Sequence, residues 1–354
     1  MTGENFKYKT EKVDKEIYSL IKKRWDAVAK PIDGLGKFEE CICRIGAIQK
    51  SVNPRLTKAG VVVFCADNGI VDEGVSQSDQ SVTALCAGNI ATYKSVLGKF
   101  ASMLDCNISV VDVGMAYDSG CKDVIDNNIM HSTNNFLNEP AMTKEQLNEA
   151  VECGIKHAYR MKEEGYDIVA AGEMGIGNTT TSAAVISALL KMPAKECAGR
   201  GAGLDDKGLR RKIEVIDEAV KKYDLYNKDV TDVMSCVGGL DIAAMAGFYI
   251  GAAMASLPVI LDGVISMCAA YVAYLMCKDV KDYYIPSHAS REKCARIIAK
   301  SLDVNPVIDA DMAVGEGTGS LMMLSLLRMA NEVYSDGTGF DDYGLEQYTR
   351  RRQC

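Results

Sequence analysis

The sequence has few of the residues that build metal centres or disulfide frameworks. Its three histidines, His131, His157 and His288, lie far apart, and none has another ligand residue at the spacing of a metal site. Its thirteen cysteines are an odd number, and no two of them form a C-x-x-C pair. We therefore expect no metal, and buried reduced thiols in the cytoplasm rather than disulfides.

The sequence also lacks a strongly basic region and a secretory signal. The net charge is −8, and the one dense basic run, Arg350 to Arg352, lies in a polar tail that we interpret as solvated. Nucleic acids and anionic membranes bind clustered lysine and arginine, so neither is an expected partner. The first residues, MTGENFKYKTEK, contain no apolar segment of the kind found in a secretory signal.

One long uncharged run, Ile242 to Leu261, reaches the length of a membrane span. It is rich in glycine and alanine, Pro258 interrupts it, and Asp241 and Asp262 flank it. This composition favours a buried helix followed by a core strand over a membrane-spanning helix.

From about residue 60 a short apolar segment, a glycine-bearing turn and a helical stretch recur. Apolar strands that alternate with helices predict an α/β fold, with a parallel Rossmann-like sheet that carries helices on both faces. Ligands of such sheets bind outside the carboxyl ends of the strands. The strand candidates are Val61 to Ala66, Ile108 to Val113, Asp167 to Ala171, Val233 to Val237 and Pro258 to Leu261.

The two ends of the chain are predicted to be helical. Glu11 to Ala29 and Phe38 to Lys50 are predicted helices on either side of a Pro31–Gly36 turn, and Ser320 to Val333 is again helical. We expect a small helical domain built from both chain ends. The predicted division is 1–58 for its first part, 59–310 for the large α/β domain, and 311–354 for a catalytic loop and its second part.

The stretch Ala171 to Thr181, AGEMGIGNTTT, joins a predicted strand to a predicted helix through three glycines. Backbone N–H groups at such a helix start can bind an anion, and hydroxyl groups add donors. No lysine follows the glycines, so this is not a Walker sequence. A tight turn with a threonine cap explains the stretch equally well.

Further glycine turns could supply phosphate or ribose contacts. Gly199 to Gly203 precedes a helix that carries Lys212, which could reach a phosphate, although a solvated lysine is the commoner case. Leu261-Asp262-Gly263 and Ser287 to Ser290 also follow apolar runs. Taken alone, His288 fits a hydrogen-bonded structural histidine.

Glu316 lies between two glycines in Val314 to Gly319, VGEGTG, at the start of a predicted helix. A carboxylate with so little cover from its neighbours can point into a cleft, where partial desolvation raises its pKa towards the range of a general base. A carboxylate that offsets the helix dipole is an equally good interpretation from these residues alone.

Together these segments resemble the nicotinate-nucleotide–dimethylbenzimidazole phosphoribosyltransferase family over roughly residues 30 to 320. Each block is weak evidence, but the ordered set is specific. The matching blocks are Lys30-Pro31 with Leu35-Gly36, Ala66 to Gly69, Gly74 to Ser76, Gln80, Val82-Thr83, Glu139 to Thr143, Gly172 to Thr180, Gly199 to Gly201, Gly238 to Ala244, Pro258 to Gly263, His288 with Ser290 and Glu292, and Gly315 to Gly319.

The resemblance implies transfer of ribose phosphate from nicotinate mononucleotide to a small aromatic base, in assembly of the cobamide lower ligand, with no metal or redox cofactor. It implies Glu316 as the general base, with assistance from Glu173. It implies 5′-phosphate contacts at Gly175, Gly177, Asn178, Thr179, Lys212, Gly263 and Ser290. It implies an acceptor wall at Ser76, Gln80 and Val314.

The sequence departs from the family pattern near the acceptor. Asn68 replaces a usual histidine, and Asp241 a usual glutamate. Ser78 and Asp79 stand where the family has an aromatic residue and a proline, and the lost ring removes stacking area. A smaller residue, Val314, also changes the pocket shape.

The sequence therefore does not distinguish a benzimidazole, a purine and a phenol as the acceptor. It also does not distinguish a homodimer from a heterodimer with a homologous subunit. A related subgroup forms O-linked ribotides of phenol or p-cresol as such a heterodimer. A non-catalytic homologous subunit is a further alternative, which the retained Glu316, Glu173 and Lys212 disfavour. A dinucleotide-dependent dehydrogenase is disfavoured because no G-x-G-x-x-G follows the first strand.

Overall fold

The protein is described by a computed structural model that covers residues 8–350. A six-stranded sheet runs through its centre in the order β3-β2-β1-β4-β5-β6, and every neighbouring pair is parallel. The strands are β1 Ala59–Ala66, β2 Cys106–Gly114, β3 Val124–Asp126, β4 Ile168–Met174, β5 Val259–Ile260 and β6 Tyr284–Ile285.

Helices cover both faces of the sheet. Alternate residues of β1 belong to different cores: Val62 and Phe64 pack with one group of helices, and Val61 and Val63 with the other. This confirms the predicted fold class. The helices are α1 Lys15–Ala27, α2 Lys37–Gln49, α3 Ser81–Ala91, α4 Val96–Met103, α5 Lys144–Glu163, α6 Asn178–Leu190, α7 Ala194–Cys197, α8 Asp206–Lys222, α9 Val230–Val237, α10 Leu240–Met254, α11 Val264–Met276, α12 Ala295–Leu302 and α13 Thr318–Asp336.

The prediction of a strand at Val233 to Val237 is wrong, because these residues form the second half of helix α9. A short apolar run fits a core strand and a buried helix equally well. The deciding signal lies upstream, where the Asp229 side chain accepts a hydrogen bond of 2.8 Å from the Asp232 amide and caps the helix.

The uncharged run from Ile242 to Leu261 forms most of α10 and then β5. Both elements are buried inside the protein, which confirms the predicted helix followed by a core strand. Within residues 8–350, no helix combines the length and the apolar character that a membrane crossing requires.

Helices from the two chain ends pack together beside the sheet. Helix α1 lies on α2, and α2 contacts α13. The Arg24 guanidinium donates to the Ser335 carbonyl at 3.1 Å, and the Tyr334 hydroxyl donates to the Val52 carbonyl at 2.7 Å. The division of the chain at residues 58 and 310 stays a prediction, and residues 1–7 and 351–354 lie outside the described part.

The basic tail is anchored where it can be described. Arg350 forms ion pairs with Asp26 in the last turn of α1 at 2.6 Å and with Asp33 on the turn between α1 and α2 at 2.7 Å. The side chain is therefore held in a defined position rather than fully solvated. Arg351 and Arg352 lie outside the described residues.

The twelve cysteines of residues 8–350 are all free thiols, and most of them are buried. Burial raises the pKa of Cys65 and of Cys268 well above the ordinary range of a thiol. Such thiols are unreactive, so their contribution is to core packing.

Candidate functional site

A cleft of about 350 Å³ lies at the carboxyl edge of the sheet, where it is lined by residues that follow β4, β5 and β6 and by the loop around Ser76 that comes after β1. The strand order reverses between β1 and β4. Ligands of open parallel sheets bind at this topological position. The cleft brings together ten of the twelve residues that the sequence predicts for the site. They are Glu316, Glu173, Gly175, Gly177, Asn178, Thr179, Gly263, Ser290, Ser76 and Val314.

The glycine turn after β4 shapes one end of the cleft. A side chain at Gly175 would place its Cβ 2.1 Å from the Ala66 carbonyl oxygen, so only glycine fits there. Gly177 has φ 94° and begins helix α6 without a side-chain cap. The Asn178 and Thr180 amides donate within the turn, to the carbonyls of Gly175 and Gly177, which leaves the Thr179 amide at the start of α6 for an anion.

Helix α11 presents a second start of the same kind. Its N-cap residue is Gly263, and no side chain caps the helix. Ser290, which is buried, and His288 line the same end of the cleft. Two helix starts and a hydroxyl group thus face the place predicted for a phosphate.

Lys212 lies behind this end of the cleft and is fully buried. Its Nζ donates to Thr179 Oγ1 at 2.8 Å and to the Gly199 carbonyl at 3.2 Å. Desolvation by burial lowers the pKa of Lys212 to about 8. The interpretation as a solvated helix lysine is thus wrong, since the residue reaches the cleft through Thr179 without lining it.

The loop that carries Glu316 has three consecutive residues with positive φ: Gly315 at 83°, Glu316 at 61° and Gly317 at 97°. A non-glycine residue rarely adopts this conformation, so the surroundings must hold it. Asp262 does so by accepting from the amides of Gly317 at 3.0 Å and Gly319 at 2.7 Å. Because Asp262 caps α13, Glu316 is not needed to offset the dipole of that helix.

The Glu316 carboxyl group lies close to the start of helix α4. Burial raises its pKa, while the Ser95 hydroxyl and the Leu97 amide act in the opposite direction. Its Oε2 atom is buried without a hydrogen-bond partner among residues 8–350. A carboxylate in this state is poised to accept a proton from a ligand in the cleft.

Glu173, at the end of β4, forms part of the cleft floor and is largely buried. Burial raises the pKa of Glu173 well above the usual range, and the nearby Asp241 carboxylate adds to the effect. The Asn178 side-chain amide donates a hydrogen bond to Glu173 and so steadies it.

The predicted acceptor wall is only partly assembled. Ser76 and Val314 line the cleft, but Gln80 does not, because its amide donates to Ser132 Oγ at 2.7 Å. Ser78 lies at the position of the family's aromatic residue. Among the described residues that line the cleft there is no Phe, Tyr or Trp, so the acceptor would meet small side chains.

The sequence indicated the Leu261-Asp262-Gly263 turn but gave Asp262 no role of its own, and it did not indicate Ser95. Asp262 lies two residues after the end of strand β5, and an acidic residue in that position is a usable signal of a site at the sheet edge. Ser95 could have been found as the N-cap of α4, where it accepts from the Gly98 amide at 3.1 Å. Its nearness to Glu316 depends on tertiary packing, which the local sequence does not contain.

Residues 8–350 contain no group of three or more His, Cys, Asp or Glu side chains that could hold a metal ion. The carboxyl groups of the site contact amides and hydroxyls instead. The chemistry that the cleft itself supports is anion binding at one end and proton transfer to a carboxylate at the other.

Comparison with known proteins agrees with this arrangement. Residues 10–345 match the family described as phosphoribosyltransferase. The nicotinate-nucleotide–dimethylbenzimidazole phosphoribosyltransferase of Acetivibrio thermocellus is 37% identical over 94% of this chain and 95% of its own length. The enzyme of the same name from Clostridium acetobutylicum is 36% identical over 95% of this chain and 96% of its own length.

Solved structures agree as well. The crystal structure of CobT from Thermus thermophilus superimposes with a TM-score of 0.89 at 35% identity, and the match covers 94% of this chain and 100% of that one.

Proposed function

Because the chain belongs to the nicotinate-nucleotide–dimethylbenzimidazole phosphoribosyltransferase family, we propose that it transfers ribose 5-phosphate from nicotinate mononucleotide to a small aromatic acceptor. The products are nicotinate and an α-ribotide for the nucleotide loop of a cobamide. The chain is a phosphoribosyltransferase, and the family resemblance read from its sequence is confirmed. The observation that supports the reaction is a cleft with open helix starts at one end and Glu316 at the other.

The phosphate end of the donor is proposed to lie against the starts of α6 and α11. The Thr179 amide and the uncapped amides after Gly263 offer hydrogen bonds, and the helix dipoles favour a dianion there. Lys212 supplies a positive charge through the Thr179 contact, and Ser290 a hydroxyl group. Rigid holding of the phosphate orients the anomeric carbon for attack.

Glu316 is proposed as the general base. Nicotinate leaves from a positively charged pyridinium, so its departure neutralises the ring and requires no acid. The acceptor, in contrast, must lose the proton on its attacking heteroatom. The raised pKa and the unpartnered Oε2 of Glu316 suit that proton transfer. Attack from the face opposite nicotinate inverts β to α.

Glu173 is proposed to act on the ribose rather than on the acceptor. As the bond to nicotinate breaks, C1′ gains positive charge, and a nearby ionised carboxylate stabilises it. Glu173 lies on the cleft floor next to the glycine turn, which is where this charge develops if the phosphate occupies the α6 start.

We propose that the acceptor is a ring whose binding depends less on aromatic stacking than the binding of dimethylbenzimidazole does. The lining of small residues around Ser76, Ser78 and Val314 favours this, and it keeps the phenol- or p-cresol-activating reaction as the second candidate. In that case the chain is the catalytic member of a heterodimer, and otherwise it forms a homodimer. We place the reaction in the cytoplasm.

The test is incubation of the purified chain, alone and with a homologous subunit from the same genome, with nicotinate mononucleotide and a panel of benzimidazoles, purines and phenols. Mass spectrometry identifies the α-ribotide, and release of nicotinate measures the rate. N-linked and O-linked products distinguish the two candidates. Absence of nicotinate release with every acceptor and both subunit compositions would refute the proposal and leave the non-catalytic alternative.

A further inference from the structure

Beneath the cleft, one amide group connects two buried carboxylates. The side-chain nitrogen of Asn178 donates to Oε2 of Glu173 and, at 2.9 Å, to Oδ2 of Asp241. Both hydrogens of the amide are therefore in use, which fixes the rotamer of Asn178. Asn178 and Glu173 line the cleft, whereas Asp241 does not.

Asp241 is itself held rigidly. It is completely buried in the first turn of α10, where its Oδ1 accepts from the Ile242 amide at 2.9 Å. Its Oδ2 lies directly below the glycine turn, because a Cβ added to Gly175 would approach it to 3.1 Å. A carboxylate fixed by a helix start is a firm point of attachment for the groups above it.

We propose that Asp241 is a positioning residue of the transfer reaction: it holds the Asn178 amide, and Asn178 holds the Glu173 carboxylate at the floor of the cleft. Without Asp241 the amide is free to rotate, and Glu173 loses its hydrogen-bond donor. This inference rests on the proposed function, since it affects turnover only if the ribose of the donor lies above Glu173.

The electrostatics of the network add a second effect of Asp241 on Glu173. The titratable groups that face Asp241 are Glu173 on β4, Asp67 after β1, Cys65 on β1 and Cys268 on α11. Glu173 is faced in addition by Asp262 after β5, Glu316 before α13 and Tyr249 on α10, and these three groups are the same in the wild type and the Asp241 variants. Burial raises the pKa of Asp241 to about 6, and its negative charge helps to raise the pKa of Glu173. Removal of that charge lowers the pKa of Glu173, so Glu173 stays ionised to a lower pH.

The kinetic test compares Asp241→Ala, Asn178→Ala and the double variant with the wild type. Loss of a hydrogen bond to a charged group predicts a fall in kcat/KM of roughly 10- to 100-fold for Asp241→Ala. If Asp241 acts through Asn178, the double variant is no slower than Asn178→Ala alone. Independent effects, in which the two fold-losses multiply, would overturn the proposal.

The variant Asp241→Asn keeps the shape and can still accept from Asn178, which guards against a folding defect of the alanine variant. It is expected to fold and to retain most of the kcat. Because the pKa of Glu173 falls when the Asp241 charge is removed, the acidic limb of the kcat profile should move to lower pH. An unchanged limb would count against the proposed coupling.

Asp112→Asn is the matched control. Asp112 is likewise buried at the carboxyl end of the sheet and accepts from Asn128 at 3.0 Å and 3.1 Å, but it does not line the cleft. A merely structural role of buried carboxylates predicts similar effects of both substitutions. The proposal predicts a shifted pH profile for Asp241→Asn alone.

A readout without turnover separates this inference from the proposed function. The infrared carbonyl band of protonated Glu173, assigned by its loss in Glu173→Gln, is followed against pH in the wild type and in Asp241→Asn. A band that disappears at lower pH in the variant supports the coupling even if the wild type transfers no ribose phosphate. Identical titrations would refute the coupling even in an active enzyme.

Discussion

Replacement of Lys212 by methionine should weaken binding of nicotinate mononucleotide without destabilising the unliganded fold. The lysine is fully buried, and two of its three ammonium hydrogens are used by Thr179 Oγ1 and the Gly199 carbonyl. Lys212 does not line the cleft, so its charge acts on a phosphate through the Thr179 hydroxyl, which does line it. Methionine has a similar length and fills the same space, but it carries no charge.

The expected stability follows from the pKa of this lysine. Burial lowers the pKa of Lys212 from its ordinary value of 10.5 to about 8, a difference that corresponds to roughly 3 kcal/mol of penalty for keeping it charged at neutral pH. Because the pKa is lower in the folded state, this penalty is full below pH 8 and disappears as the pH rises towards 10.5. The two lost hydrogen bonds cost about 1 kcal/mol each. At pH 7 the variant should therefore be about 1 kcal/mol more stable, with Tm raised by about 2 °C.

The expected loss of affinity is larger. Without the lysine charge, the expected hydrogen bond from the Thr179 hydroxyl to the phosphate loses its charge assistance. Hydrogen bonds to charged groups contribute about 1.5–3 kcal/mol, so Kd should rise by up to roughly 10- to 100-fold. Isothermal titration calorimetry measures Kd, and thermal unfolding with and without the nucleotide measures both effects. Lys207→Met, on the exposed first turn of the same helix, is the control. Unchanged affinity, or a Tm several degrees lower without ligand, would refute this account of Lys212.

Three further outcomes are expected. Glu316→Gln should lower kcat by about 100- to 10,000-fold, while the variant still binds nicotinate mononucleotide. An unchanged rate of nicotinate release would exclude Glu316 as the general base. Gly319→Ala should lower Tm by several degrees, because the new Cβ would lie 2.0 Å from Nδ1 of His288. The control is Gly88→Ala, whose Cβ would have its nearest contact at 3.5 Å. Thermal unfolding should show no loss of Tm for this control. Ser78→Tyr should shift the acceptor preference towards benzimidazoles by up to about 10-fold through stacking, which competition between a benzimidazole and a phenol measures; an unchanged product ratio contradicts it.

The central strands could be predicted because they are largely buried on both faces and therefore mostly apolar. The edge strands could not, since Val124–Asp126 and Tyr284–Ile285 are two or three residues long and contain no pattern of their own. The error at Val233 to Val237 has the opposite origin, because its apolar run is long enough to suggest a strand. Only the aspartate cap before it separates the two interpretations.

The site was predictable where backbone chemistry defines it and not where packing does. The glycines near Asn178 and Glu316 indicate tight turns in any context. The burial of Lys212 could have been predicted from its position on the helix, although its charge suggests exposure. It occupies the same face of α8 as Val215, Ile216 and Ala219, all of which are buried. The partners of that lysine come from α6 and the 199–203 turn, and no local pattern predicts them.

Helix starts without a side-chain cap occur in several places in the fold, but those of α6 and α11 open onto the cleft. Helices α1, α5, α8 and α9 are capped by the side chains of Asp14, Thr143, Asp205 and Asp229. The helices that begin at the cleft have glycine N-caps, and α13 receives its cap from Asp262 across the sheet edge. A glycine cap costs only a few tenths of a kcal/mol relative to a polar one. Helices α2 and α10 also begin at uncapped glycines, but these do not line the cleft, so a missing cap alone does not mark a site. What distinguishes α6 and α11 is that both starts line one cleft, where the Thr179 amide and the amides after Gly263 can bind an anionic group. The phosphate of the donor is the anionic group that the family reaction supplies.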